Sequence, residues 1–265
     1  MGSKKSIIGC IDTKCTINAD VDYKTTHKDN TEFWDTVGSE VLGVTALPSY
    51  GGFITEENLQ LFGNLSNKKV LEIGCGNGHS LEYIHSKGAS ELWGTDISSQ
   101  QIERSKIFLA SRNIKANFIC SPMESSENIP KDYFDIVYAV YSIGWTTDLN
   151  KTLKNIASYL KENGVLIFSW SHPIQKCVSL ENDKFIFCNS YFDEGWYSTV
   201  LAGKEFTLSN RKLSTYINGL AENGFAIEKL IEDNCEGILN LSGNSDFVTK
   251  AKMLPVTFVI KARKF

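Results

Sequence analysis

The sequence predicts an α/β fold, a mostly parallel sheet with helices on both faces, and three observations predict it. From residue 69 onward, short apolar runs alternate with amphipathic segments of ten or more residues, the rhythm of βαβ units. A glycine turn, Gly74-Cys75-Gly76-Asn77-Gly78, directly follows the first of these runs. An acid, Asp96, closes the next run, 22 residues after Gly74.

Length and composition suit one large domain with an insertion: 265 residues, 42% of them hydrophobic. The formal net charge is -4 and no long basic run occurs. That argues against a nucleic-acid partner, and favours a small neutral or cationic molecule over a polyanion. The seven cysteines form no C-x-x-C pair. They read as reduced thiols of a cytoplasmic protein, with Cys75 and Cys120 buried in or beside strands. The four histidines complete no zinc ligand set, so no metal is expected. No apolar stretch approaches the roughly 20 residues of a membrane span, and no apolar leader follows Met1. No membrane partner is therefore expected. The opening MGSKKS loosely matches an N-myristoylation pattern, yet reads as an ordinary polar start. Nothing in the sequence decides between a monomer and a homodimer.

Residues 1–30 are polar and aperiodic and read as a flexible arm, leaving 31–265 as a single domain. The stretch 31–47 is expected to be helical, 48–52 a turn, and Thr55 the cap of a short helix. Strands follow at 69–74, 91–96, 116–121, 133–142 and 165–170. Helices fall at 79–88, 98–113 and 148–164, with Ser98 and Asp148 as caps and Gly88 and Gly164 as stops. Right-handed crossovers then place helices on both faces. After Trp170 the rhythm breaks, and about 171–208 reads as an inserted cap or a small hairpin. A helix at 209–224 and strands at 225–233 and 255–264 bring the sheet to seven strands.

The glycines at 74, 76 and 78 permit positive φ and close approach of a ligand to the backbone. A carboxylate placed as Asp96 is reaches a ribose diol. The ligand therefore carries a ribose and something compact at the loop. Glu72, inside the strand, either orients the turn or approaches a cofactor amino group. Tyr50, Tyr141 and Trp145 are candidate pocket residues, since a tyrosine suits contact with a cationic centre. Tyr50 stands in a Pro-Ser-Tyr-Gly turn, an odd place for a core aromatic. His172, just past the C-terminal end of a strand, is a candidate general base. Arg211 opens the late helix, where it would suit a substrate carboxylate.

VLEIGCGNG, followed by an acid-terminated second strand, resembles the class I S-adenosylmethionine-dependent methyltransferases of the small-molecule type. The resemblance covers about 68–170 and the closing helix and strands at 209–264. It implies a doubly wound, Rossmann-like, mostly parallel seven-stranded sheet with an antiparallel last strand and a cap inserted after the fifth strand. It implies S-adenosyl-L-methionine as cofactor, S-adenosyl-L-homocysteine as product, and a small molecule methylated at oxygen or nitrogen. In that family the glycine turn, here Gly74, Cys75, Gly76 and Gly78, packs against the aminoacyl part of the cofactor. Asp96 takes the ribose, Ile97 and Gln101 beyond it belong to the cofactor contacts, and Pro122, Met123 and Glu124 lie near the adenine. Glu72, Tyr138 and Val140 complete the cofactor contacts, while Tyr141 and Trp145 face the methyl group and substrate. SWSHP at 169–173 and NRKLSTYINGLAENGF at 210–225 resemble a subset in which the segment between them covers the pocket.

The chain departs from the family in three places. Ser121-Pro122-Met123 replaces a frequent acid and polar pair. YAVYSIGW lacks the Asn-Pro-Pro-Tyr or Asp-Pro-Pro-Tyr of members acting on exposed nucleobase or glutamine amino groups. Gly144-Trp145 stands where His-His or His-Val is common. An NAD-linked oxidoreductase would need its third glycine one residue later and a hydride-handling pair that is not found. The remaining alternatives are a non-catalytic S-adenosylmethionine-binding protein and a protein or tRNA methyltransferase.

Overall fold

The computed structural model describes residues 16–18, 22–36, 45–51, 54–125, 127–182, 184–201, 203–233, 236–240 and 246–265. Cys10, Cys15, Cys235, the MGSKKS opening and residues 37–44 of the expected first helix lie outside the described residues.

In chain order, the first elements are β1 (Thr16–Asn18), α1 (Tyr23–Thr36) and α2 (Glu56–Leu59). The central run is β2 (Lys69–Ile73), α3 (His79–Ser86), β3 (Glu91–Asp96), α4 (Ser99–Ala110), β4 (Asn117–Cys120), β5 (Phe134–Val140), α5 (Leu149–Tyr159) and β6 (Leu160–Ser171). The inserted segment supplies β7 (Val178–Glu181), β8 (Lys184–Phe187), β9 (Trp196–Leu201) and β10 (Lys204–Ser209). The chain closes with α6 (Leu213–Glu222), β11 (Phe225–Ile231), α7 (Glu236–Leu239), α8 (Asp246–Met253) and β12 (Thr257–Lys264).

The main sheet has seven strands in the order β11-β12-β6-β5-β2-β3-β4. The chain enters at β2, winds outward through β3 and β4, then crosses to β5 and β6 on the other side, every pair parallel. β12 runs antiparallel to both β6 and β11, which makes it the one reversed strand of this sheet. The winding direction reverses between β2 and β5, and in open α/β sheets the crevice at such a point holds the ligand.

Alternate strand residues face opposite layers. Thus Val137 and Ala139 join the core shared with α5 and α6, and Ile136 and Tyr138 join the core shared with α3 and α4. Such burial on both faces explains the near-continuous apolar runs of the central strands. Truncating Leu71 or Phe168, both fully buried, would cost about 2–5 kcal/mol.

The caps expected at Thr55, Ser98 and Asp148 are present. Asn58 Oδ1 accepts from Thr55 N–H at 3.1 Å, Ser98 Oγ from Gln101 N–H at 3.1 Å, and Asp148 Oδ1 from Lys151 N–H at 2.9 Å. Gly88, at φ +92°, closes the turn after α3.

Four boundaries differ from the sequence reading. Residues 23–30, expected in a loose arm, form the first half of α1. Asn30 makes that possible, because its side-chain amide donates to Thr207 O and accepts from Thr207 N–H, both at 3.0 Å. Residues 45–47, at the end of the expected 31–47 helix, are not helical. α5 stops at Tyr159 rather than Gly164, because Tyr159 and Leu160 are drawn into the core and Leu160 already pairs with Phe134. The turn is made instead by Asn163, at φ +60°. α6 starts at Leu213 because residues up to Ser209 belong to β10.

The segment read as a cap or hairpin forms two hairpins, β7–β8 and β9–β10, and β1 adds to β9. Cys75 is buried as expected, but Cys120 is exposed at the sheet's edge strand. Among the described residues no helix is long and apolar enough to cross a membrane.

Candidate functional site

The glycine turn sits at the C-terminal end of β2. Gly74 N–H and Cys75 N–H both donate to Thr95 O, at 2.8 and 2.9 Å, so the turn is pinned to β3. Gly74, Gly76 and Gly78 have φ of +70°, +50° and +73°. Gly74 is also required by space: a Cβ there would lie 2.5 Å from Ser142 Cβ. At Gly76 a Cβ would meet nothing within 4 Å, so its outer face is an open cradle.

Asp96 closes the cradle. Its Oδ2 accepts from Gly76 N–H and its Oδ1 from Ser98 N–H, both at 2.9 Å. Burial raises its pKa, helped by the charge of Asp35, backbone bonds from Ser98, Gly76 and Ile97 oppose this, and the net value is about 6. The carboxylate keeps acceptor capacity for a ligand hydroxyl. Ser105 O–H bonds Gly76 O at 2.6 Å, fixing the same residue from α4.

Glu72 lies beneath this turn and is buried. Ser80 O–H donates to its Oε1 and Tyr138 O–H to its Oε2, tying β2 to α3 and β5. Burial dominates its titration and pushes the pKa to about 8. Of the two sequence readings of Glu72, orientation of the turn is the one these bonds support. Tyr138, expected to touch the cofactor, is instead wholly buried with its hydroxyl on Glu72 and Ser80. It occupies the core layer that strand alternation dictates. Cys75 is likewise enclosed, its Sγ against Gly94, where a Cβ would come within 2.8 Å.

α1 forms a second wall that the sequence did not reveal. Gln101 Nε2 donates to Trp34 O at 3.1 Å, Ser98 O–H donates to Asp35, and Arg104 Nη2 donates to Asp35 O at 3.2 Å. The end of α1 therefore lies over the start of α4, beside Asp96, Ile97 and Gln101. Met123 is close to the turn, its Cε 3.4 Å from where a Gly74 Cβ would be, and neighbouring Pro122 is partly exposed.

Glu124, expected near an adenine, is committed elsewhere. Its Oε1 accepts from the hydroxyls of Thr146 (2.7 Å) and Thr147 (2.9 Å) and from Thr147 N–H, and its Oε2 is 3.4 Å from His27 Nε2. Burial raises its pKa, but bonds from His27, Thr146 and Thr147 prevail and hold it at about 2. This carboxylate fastens α1 and the start of α5 rather than facing a ligand.

Past Val140, the exit of β5 carries backbone strain. Tyr141 has φ +54°, rare for a bulky residue and concentrated at functional sites. Its N–H donates to Ser169 Oγ at 3.1 Å, its hydroxyl lies 2.7 Å from Ser171 Oγ, and its ring is 5.2 Å from that of Trp170. Gly51 lies against this ring, where a Cβ would fall 2.3 Å from Tyr141 Cε2. Ser142 O–H bonds Ile73 O at 2.6 Å and joins the exits of β5 and β2. Trp145 packs among Phe33 (5.8 Å), Trp34 (5.0 Å) and Phe206 (5.2 Å), from α1 and β10. The partly buried Arg211 joins this group through Nη2, which donates to Thr146 O.

Two further expected site residues do not reach the site. Tyr50 is fully buried and donates its hydroxyl to Glu56, which also accepts from Leu61 N–H (3.0 Å) and Phe62 N–H (2.9 Å). His172 has both ring nitrogens engaged: Nδ1 accepts from Ile174 N–H at 3.2 Å, and Nε2 lies 2.6 Å from Glu232 Oε1. That places its proton on Nε2 and leaves no lone pair for a substrate. Burial lowers its pKa, against a rise from Glu232.

A glycine cradle bounded by a carboxylate thus stands at the switch point of a doubly wound sheet, where open α/β folds hold their ligands. A family model described as a methyltransferase domain matches residues 52–198. The chain belongs to this family, the class I S-adenosylmethionine-dependent methyltransferases. It is 29% identical over 218 residues to an uncharacterized protein of Haemophilus influenzae, covering 78% of this chain and 85% of the other. It is also 29% identical over 207 residues to a ubiquinone biosynthesis O-methyltransferase of Bradyrhizobium diazoefficiens, covering 74% and 81%. Among solved structures, an S-adenosylmethionine-dependent methyltransferase of Mesorhizobium loti superposes with TM-score 0.66 at 20% identity, over 78% of this chain and 97% of that one. One from Clostridium acetobutylicum gives TM-score 0.56 at 17% identity over 93% of each chain. These two likenesses establish the fold. The open face at Gly76 and the acceptor capacity of Asp96 fit a compact aminoacyl group and a ribose diol.

Proposed function

We propose that this methyltransferase acts on a small molecule, at oxygen or nitrogen. The observation that carries the reading is the cradle itself: Gly76 open on its outer face, with Asp96 bonded to Gly76 N–H at its rim. The ubiquinone biosynthesis O-methyltransferases among the relatives support a small-molecule substrate. S-adenosyl-L-methionine, when bound, supplies an activated methyl group. Gly74, Gly76 and Asp96 would hold it, with Ile97, Gln101 and Met123 beside the nucleoside. Tyr141, Trp145 and α1 would align the substrate and exclude water, the main tasks in an in-line methyl transfer.

Calorimetric titration with S-adenosylmethionine, S-adenosylhomocysteine and NAD tests this. Binding of the first two and none of NAD is expected, and NAD binding alone would overturn the reading. Asp96→Ala should weaken S-adenosylmethionine binding by about 1.5–3 kcal/mol, roughly ten- to a hundredfold in Kd. Unchanged affinity would remove Asp96 from the ribose. Because the ionised carboxylate is the better acceptor, affinity should fall as pH drops through about 6, and this dependence should vanish in Asp96→Asn.

His172→Ala should cost about 1–2 kcal/mol of stability by unpairing Ile174 N–H. It should leave the pH profile of turnover unchanged. A lost acidic limb in that profile would restore His172 as a base.

A further inference from the structure

We propose that the substrate is a small aromatic carboxylate whose charge is taken by Arg211. The proposal rests on the methyltransferase reading and names its substrate class. A guanidinium has five N–H donors and no acceptor, and is charged at every working pH. Arg211 Nη2 donates to Thr146 O, and its guanidinium also reaches Tyr216. Its Nη1 is buried and has no hydrogen-bond partner among the described residues.

Nor is there a counter-charge among the described residues. The two acids tied to neighbouring residues are both engaged elsewhere: Glu124, which binds the Thr146 hydroxyl, with His27 Nε2 at 3.4 Å, and Glu194 with Lys212 Nζ at 3.0 Å. No described carboxylate stands within ion-pair distance of Arg211. A buried cationic N–H without an acceptor is costly, and an anion supplies both the acceptor and the counter-charge. Ser209, two residues earlier at the end of β10, repeats the pattern: its hydroxyl is buried and has no partner among the described residues. A carboxylate accepts through two oxygens and matches a guanidinium edge in a bidentate pair.

The aromatic part follows from what stands next to the charge. The carbonyl that holds Arg211 belongs to the residue after Trp145, and Trp145 is only partly buried among Trp34, Phe33 and Phe206. A flat ring carrying a carboxylate fits an indole wall ending in a guanidinium. Composition alone favoured a neutral or cationic substrate. An arginine with a partnerless Nη1 beside this aromatic wall decides more than a net charge spread over the surface.

The test is a titration of the protein, saturated with S-adenosylhomocysteine, with benzoate, phenylacetate and 4-hydroxybenzoate and with the matching amides. It is read by calorimetry and tryptophan fluorescence. At least one acid should bind about tenfold or more tighter than its amide, the equivalent of one charge-assisted pair. Arg211→Gln should erase that difference while leaving S-adenosylhomocysteine affinity unchanged, and Arg211→Lys should keep part of it. The lysine variant and melting curves guard against a folding defect. Equal binding of acids and amides, no binding of any acid, or wild-type acid affinity in Arg211→Gln would each overturn the proposal. Failure of S-adenosylhomocysteine to bind the wild type would instead overturn the methyltransferase reading beneath it.

Discussion

Gly74→Ala is expected to abolish cofactor binding and to destabilise the protein by about 2–5 kcal/mol, two effects that Gly76→Ala should separate. Alanine at φ +70° carries roughly 1–2 kcal/mol of left-handed strain. Its methyl would lie 2.5 Å from Ser142 Cβ, and relieving such overpacking costs about 1–3 kcal/mol more. Ser142 cannot swing away freely, because its hydroxyl holds Ile73 O. At Gly76 the backbone is also left-handed, at φ +50°, but the new methyl meets no protein atom within 4 Å. Only the strain term remains, about 1–2 kcal/mol. Its methyl would project into the cradle. Both variants should therefore fail to bind S-adenosylmethionine, while only Gly74→Ala shows a large fall in melting temperature without ligand. Wild-type cofactor affinity in Gly76→Ala would place the ligand somewhere other than that open face.

The residues that the sequence located well are those whose role is set by their own segment. Gly74, Gly76 and Gly78 are dictated by a turn, Asp96 by the end of a strand, and Ser98 and Asp148 by the helices they cap. The seven strands were legible because burial on both faces makes their apolar runs nearly continuous. Misreadings arose where a partner comes from far along the chain. Tyr50 looks like a turn residue until Glu56 is folded beneath it and Thr257 bonds its carbonyl at 2.8 Å. His172 looks like a free base at a strand end, but Glu232 and Ile174 N–H take both nitrogens. Glu124 fits an adenine-side position by order alone, yet His27 from α1 and two threonines claim it. The first half of α1 was missed because its anchoring residue, Asn30, is polar and leaves no apolar stripe to read. The ends of α5 and α6 moved for a related reason: burial of Leu160 and strand pairing of Ser209 override local helix signals.

Raising the pH should destabilise the ligand-free protein, and Glu72→Gln should abolish most of that effect. Burial is the main cause that lifts the Glu72 carboxyl from 4.5 to about 8, against smaller opposing bonds from Ser80 and Tyr138. Between those two values the folded protein binds a proton that the unfolded chain has released. The corresponding stability is fully present below the lower value and is lost as pH rises through about 8. A shift of that size is worth on the order of 4–5 kcal/mol. Asp96 acts in the same direction over a lower window, from 3.8 to about 6. Glutamine at 72 keeps an acceptor for Ser80 and gives Tyr138 a donor to accept from, with no charge to bury. Near pH 4, below the unfolded value of 4.5, the variant should melt close to the wild type. By pH 9 it should melt several degrees higher, because the wild type alone must then bury an ionised carboxylate. Melting curves of both proteins across this range are the check, and parallel pH dependence would mean that Glu72 ionises without cost beneath the glycine turn.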